Sequence, residues 1–223
     1  MSQDEARVSN RAVYTFFQPV DGLNSADEKK LILLWKANWA SAGWQPQVLN
    51  ELDAVNHPLY SEYSEMVKKF PSINPGRYDY YCYMRWLAVA QSCEEPDTEV
   101  AMCDYDVFNY GFLSESHTPG KMSLYQGFVP SLVMGDRTSF VNMCHRFMES
   151  RPEEWEEING RPHTSDMFML RDIVKASPDA FRRFRKVYNV HEPGWESATA
   201  VHYCNSVMNP AGLIPRFRHV VKW

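Results

Sequence analysis

Two aspartates one residue apart, Asp104 and Asp106, close the apolar stretch Glu99-Val100-Ala101-Met102-Cys103-Asp104-Tyr105-Asp106-Val107-Phe108. A short apolar run bounded by polar residues reads as a buried strand. Carboxylates at the end of such a strand are costly unless a cation meets them. A hard divalent ion is the natural partner, and such ions often share their coordination with phosphate oxygens. In open α/β sheets the carboxyl ends of the strands face the ligand crevice, which puts the pair where a ligand would sit. Arg85 is the second residue with chemistry to explain. It lies in Tyr78–Ala90, a segment apolar almost all round and therefore expected to be a buried helix. A guanidinium there needs a carboxylate or a phosphate. Its partner is either Asp79 or a neighbour, in a structural ion pair, or the acidic crevice and its ligand.

The elements that must position these residues alternate between strand and helix. Arg11–Phe17 is rich in β-branched and aromatic residues and reads as the first strand. Gln18-Pro19-Val20-Asp21-Gly22 is a turn-rich loop after it. Ser25-Ala26-Asp27-Glu28 is a capping box, opening a helix with Leu31, Leu34, Trp35, Trp39 and Ala42 on one face. Gly43 stops that helix. Gln47-Val48-Leu49 should then be a second strand parallel to the first. A helix is expected from Pro58 to about Phe70, and a strand at Ser131–Met134. Asp136 can cap a helix from Thr138 to Met148, with Phe140, Met143, Cys144 and Phe147 inward. Arg151-Pro152-Glu153-Glu154 ends it. His163-Thr164-Ser165-Asp166 precedes a further helix with Met167, Leu170 and Val174 inward. Arg182-Arg183-Phe184-Arg185-Lys186 is a basic cluster, either a solvated face or a dock for an anionic acceptor. Ala198–Cys204 reads as a late strand and Asn209-Pro210-Ala211-Gly212 as a turn. The tail carries Arg216, Arg218, His219 and Lys222.

Bulk properties narrow the classes. The chain has 223 residues, 44% hydrophobic and 23% charged, which suits one globular domain spanning residues 1–223, with 1–10 as a frayed lead-in. Its net charge of −5 argues against a nucleic-acid partner. No apolar run approaches the ~20 residues of a transmembrane segment. Met1-Ser2-Gln3-Asp4-Glu5 has neither the basic start nor the apolar core of a secretory signal. The five cysteines form no C-x-x-C pair, which favours reduced, mostly buried thiols and a cytoplasmic location. Many of the 7 Trp, 12 Tyr and 12 Phe belong in a core, though some could line a pocket for flat rings.

A strand at Ala12–Phe17, a buried helix with an arginine at Arg85, then roughly twenty residues to an apolar strand ending Cys103-Asp104-Tyr105-Asp106: this order resembles the DXD sugar-binding-region glycosyltransferases of the GT-A class. The resemblance implies a GT-A-like α/β fold with a mixed, mostly parallel sheet flanked by helices. It implies transfer of a sugar from a nucleoside-diphosphate sugar, such as a UDP- or GDP-sugar, to the hydroxyl of a glycan or other acceptor. Val201-His202-Tyr203 is similar to the carboxy-terminal histidine that completes the metal site in many GT-A enzymes. The implied metal ligands are Asp104, Asp106 and His202, holding Mn²⁺ or Mg²⁺. The implied donor-binding residues are Tyr14, Thr15, Phe16, Arg85, Asp104, Tyr105 and Asp106. An inverting enzyme also needs a base on the far side of the sugar, and Asp166 is the catalytic candidate in a similar late position. The chain departs from the pattern at Ser92-Cys93-Glu94-Glu95-Pro96-Asp97, where those transferases usually carry Gly-Gly, so the donor sugar stays open.

Two rival readings accompany this one. Haloacid-dehalogenase-like phosphatases also pair an apolar strand with Asp-x-Asp, which would make Asp104 a nucleophile. In those enzymes the motif comes early and Thr or Val stands two residues after the second aspartate, where this chain has Phe108 in mid-sequence. A non-catalytic nucleotide- or carbohydrate-binding module is the other. No P-loop or nucleophilic triad is legible.

Overall fold

A computed structural model describes residues 11–20, 25–74, 76–150, 156–158 and 160–204. The expected lead-in 1–10, Asp21 and Gly22, the break at 151–154, the turn at 209–212 and the basic tail lie outside the described residues. So do the side chains of Ser25, Ala26 and Asp27, on which the capping box depends.

The chain opens as expected, with strand β1 (Ala12–Phe16), helix α1 (Ser25–Ser41) and strand β2 (Gln45–Leu49). β2 pairs parallel to β1 with Ala12 opposite Gln45. Gly43 takes φ 83°, the left-handed conformation that ends a helix at little steric cost for glycine. α1 buries Leu31, Ile32, Trp35 and Trp39, whereas Leu34, expected inward, is 39% exposed. Two short helices follow, α2 (Glu51–Val55) and α3 (Tyr60–Val67), the latter shorter than the expected Pro58–Phe70. Helix α4 (Tyr78–Ser92) is the buried one, with Tyr83, Met84, Trp86, Leu87, Ala88, Val89 and Ala90 out of solvent.

The strand expected to end at the two aspartates stops at Cys103, and a second strand starts at Val107. β3 (Val100–Cys103) lies in the main sheet, and β4 (Val107–Asn109) in a second. The rest of the chain supplies β5 (Met122–Leu124), β6 (Leu132–Gly135), α5 (Arg137–Glu149), β7 (Glu156–Ile158), β8 (Arg161–His163), α6 (Asp166–Ala176), β9 (Phe181–Arg183), β10 (Val187–Asn189) and β11 (Ala200–His202). The main sheet has the order β2-β1-β3-β6-β5-β9; β1 pairs parallel with β2 and β3, and β5 with β9, while β6 runs antiparallel to both neighbours. The second sheet is β10-β11-β4, and β7-β8 form a small hairpin.

β3 shows why an unbroken apolar run was required. Val100 and Met102 join the core under α4 and α5, with Trp86, Phe140 and Phe147, while Ala101 and Cys103 join Trp35, Trp39, Trp44 and Phe112 on the other side. With period-two alternation and both faces covered, every β3 side chain is buried. α5 begins where expected, because the Asp136 carboxylate accepts the Ser139 N–H at 2.7 Å. All five cysteines are free thiols.

Candidate functional site

β3 ends at Cys103 and the backbone turns at once. The Asp104 N–H donates across to the Ser131 carbonyl at 2.8 Å, and the Val107 N–H donates back to the Asp104 carbonyl at 3.0 Å. β4 then pairs antiparallel with β11, placing His202 opposite Val107, and the Tyr203 N–H reaches the Asp106 carbonyl at 2.9 Å. This register carries the late histidine to the end of β3. One ligand atom each of Asp104, Asp106 and His202 lies within 4.8 Å of the others. His202 Nε2 stands 3.4 Å from Asp106 Oδ1.

The donor set fits a divalent cation. Two carboxylates with one imidazole suit Mn²⁺, and Mg²⁺ with more dependence on water. The electrostatics point the same way. Burial opposes a charged His202, yet the Asp106 carboxylate outweighs it and holds the imidazole's pKa well above the ordinary value. Burial raises the Asp104 pKa in spite of the Arg85 charge beside it. Negative charge is concentrated here away from water, and a bound cation relieves it.

Arg85 joins this corner to the next wall. Its Nη1 donates to Asp104 Oδ1, while Nε at 3.0 Å and Nη2 at 2.6 Å donate to Asp166 Oδ2. Asp79 is not its partner. Six residues apart on a helix, the two point to different faces, and Asp79 accepts instead from Ser72 and Asn74. Asp166 is the first residue of α6, but Ser165 caps that helix, accepting the Phe168 N–H at 3.4 Å. Asp166 Oδ2 also accepts from Trp86 Nε1 at 2.9 Å. Three donors therefore converge on one oxygen of a carboxylate that is 3% exposed.

A cleft of about 560 Å³ connects these groups, lined by Phe16, Phe17, Gln18, Arg85, Tyr105 and Asp166 among others. Asp104, Asp106 and His202 form part of its wall. Of the three β1 residues expected to receive a base, only Phe16 reaches it. Tyr14 points into the core and donates to the Ser92 carbonyl at 3.0 Å, and Thr15 is buried away from the cleft. Tyr14 and Phe16 share one face of β1, and Phe16 reaches the cleft because it is the last residue of the strand. Tyr105 lines the cleft and donates its hydroxyl to Glu28 at 3.0 Å. Glu28 went unmarked as a cleft residue because its position suggested a cap. It is buried, and burial raises its carboxyl pKa against the opposing Tyr105 hydrogen bond.

A family model described as a domain of unknown function, DUF8765, matches residues 6–165. No curated protein matches the sequence. Among solved structures, mouse xyloside xylosyltransferase 1 in its apo form matches with a TM-score of 0.55 at 9% identity, covering 88% of this chain and 98% of that one. At that identity the likeness is one of fold. The chain has the expected GT-A-like architecture, a mixed, mostly parallel sheet flanked by helices.

Proposed function

Because this chain belongs to the DUF8765 family, whose description names no activity, we propose a function from the site itself: transfer of a sugar from a nucleoside-diphosphate sugar to an acceptor hydroxyl, by a single domain with Mn²⁺ or Mg²⁺ at Asp104, Asp106 and His202. One observation carries it, the convergence of two carboxylates and an imidazole at the end of β3, beside a cleft large enough for a small ligand. The fold shared with a xylosyltransferase supports the same reading. Xylose is the sugar in that protein's name; the donor class here is a UDP- or GDP-sugar.

The residues take roles from their contacts. Asp106 and His202 would hold the ion, and Asp104, with Oδ1 committed to Arg85, would contribute through Oδ2. A divalent ion bound there would stabilise negative charge on a departing diphosphate, an effect of several kcal/mol. Arg85 fixes Asp104 and Asp166 relative to each other with three of its five N–H groups, and it lines the cleft, where the other two can meet the sugar donor. Phe16, Phe17 and Gln18, at the exit of β1, supply an apolar and amide surface for the nucleotide. Asp166, with Oδ2 occupied, offers Oδ1 to a sugar hydroxyl, and we assign it that contact in place of the base. All of these residues line the one cleft.

The testing experiment screens nucleoside diphosphates and their sugars by thermal shift with and without Mn²⁺, followed by turnover with simple acceptors. Metal-dependent binding with turnover supports the proposal. Binding without turnover returns the chain to a binding module, and a phosphorylated Asp104 trapped from a phosphomonoester makes it a phosphatase.

A further inference from the structure

The loop between β5 and β6 carries two side chains that the reaction does not use directly. Ser131 is fully buried, and its hydroxyl donates to Gln126 Oε1. The same Oε1 lies 2.9 Å from His202 Nδ1. The Ser131 carbonyl meanwhile accepts the Asp104 N–H at 2.8 Å. One loop thus supports two of the three grouped residues, Asp104 through its backbone and His202 through its ring.

We propose that Gln126 is a positioning residue of this corner: its Oε1 accepts from Nδ1–H of His202 and so makes Nε2 the nitrogen offered to a divalent ion. The proposal rests on the reading of Asp104, Asp106 and His202 as a cation site. A neutral imidazole carries one proton on one of two nitrogens, and the hydrogen bond at one decides what the other can do. An acceptor at Nδ1 makes that nitrogen the donor. An amide N–H₂ in the same place would do the reverse, putting the proton on Nε2 and aiming it at Asp106, where it would occupy the ligand's lone pair. Ser131 favours the first arrangement, because its hydroxyl hydrogen finds its acceptor in the same Oε1. Gln126 therefore acts through His202, as partners of metal-ligating histidines commonly do.

The test titrates Mn²⁺ alone into the full chain and follows loss of the free-ion electron paramagnetic resonance signal, with no substrate or turnover involved. Wild type should bind, and Asp106→Ala should not. Gln126→Leu, which removes the acceptor, should weaken Mn²⁺ binding about 10–100-fold. Gln126→Glu keeps an acceptor and should stay within severalfold of wild type. If wild type binds but Gln126→Leu binds equally well, the role of Gln126 is refuted while the cation site stands. If Gln126→Glu is as weak as Gln126→Leu, the amide donates and the proposal is equally refuted. Absence of any binding sensitive to Asp106→Ala removes the site and this role with it. Should Gln126→Leu fail to fold, ¹⁵N spectra of histidine-labelled wild type loaded with Cd²⁺ decide: a protonated Nδ1 and a Cd²⁺-bound Nε2 support the proposal, and the opposite pattern overturns it.

Discussion

Strand β3 has two carboxylates and a histidine at each end. At its start, His117 lies between Glu99 and Asp136, Nδ1 3.3 Å from Glu99 Oε1 and Nε2 3.4 Å from Asp136 Oδ2. At its finish, His202 stands beside Asp106 with Asp104 close by. By composition the two clusters are alike, and their wiring separates them. Asp136 is already filled: it accepts the N–H of Gly120 at 2.9 Å and both the N–H and hydroxyl of Ser139 at 2.7 Å. Its cluster ties a loop and the start of α5 to the sheet. Among the described residues, only Asp104, Asp106 and His202 gather ligand atoms closely enough for an ion, and they do so on the wall of a cleft. Residue types do not make a site; acceptor capacity left over, next to space for a ligand, does.

The sharpest way to break this contrast is to remove one acid from each end. Asp106→Ala should keep the fold by circular dichroism and lose turnover about 10³-fold or more, since several kcal/mol of charge stabilisation goes with the ion. Turnover that survives this change in the presence of chelator would contradict the metal reading. Arg85→Leu strands a buried carboxylate, Asp166, and a half-buried one, Asp104, and should destabilise the protein by about 3 kcal/mol in urea unfolding; an unchanged midpoint would mean that the pairs carry no structural weight.

Asp166→Asn should raise the donor KM about tenfold while kcat falls less, as expected for a lost charge-assisted contact to a hydroxyl of about 1.5 kcal/mol. A kcat loss of about 10²–10⁴ at unchanged donor affinity would instead restore Asp166 to the base. The smallest effect belongs to the closed end. Asp136→Ala should cost about 1 kcal/mol of stability, as a lost helix cap does, and leave Mn²⁺ affinity untouched. This difference has a pH signature. Burial opposes the charged Asp136, but hydrogen bonds from Gly120 and Ser139 outweigh it and hold its pKa below the ordinary value. Its stabilisation is therefore fully present above the unfolded aspartate value of about 3.9 and is lost as pH falls through the lower folded value. The gap between wild type and Asp136→Ala should narrow over that acidic range; a gap that widens there would overturn the assignment.

Much of this was legible because it is local. The first strand–helix–strand unit, the buried helix around Arg85, the cap at Asp136 and the acids after Cys103 all follow from spacing, burial pattern and capping chemistry. What was hidden depends on pairing between distant segments. Nothing near Val107 shows that the chain leaves one sheet for another, because three-residue strands such as β4 and β11 are too short for an alternation signal. His202 was singled out by likeness to a family, and only the β4–β11 register brings it to Asp106. Gln126 is a neutral amide in a turn and carries no signal at all. Glu28 was read only as part of a cap, because a glutamate three residues after a serine is what a cap looks like, and its contact with Tyr105 left no trace in the sequence. Asp166 was marked as a base from its place at the start of a helix, but its neighbours Arg85 and Trp86 lie on a helix far away in sequence, and they set what its oxygens can do.

The most direct measurement is the thermal shift of wild type and Asp106→Ala with UDP- and GDP-sugars, each with Mn²⁺ and with chelator. A ligand at a hundred times its Kd stabilises the native state by about 2.7 kcal/mol, or roughly 5–11 °C for a chain of this size. At least one nucleotide sugar should produce such a shift with wild type and Mn²⁺, and none with chelator or with Asp106→Ala. An equal shift in chelator, or an equal shift in Asp106→Ala, would contradict the claim that Asp104, Asp106 and His202 form a metal-dependent donor site.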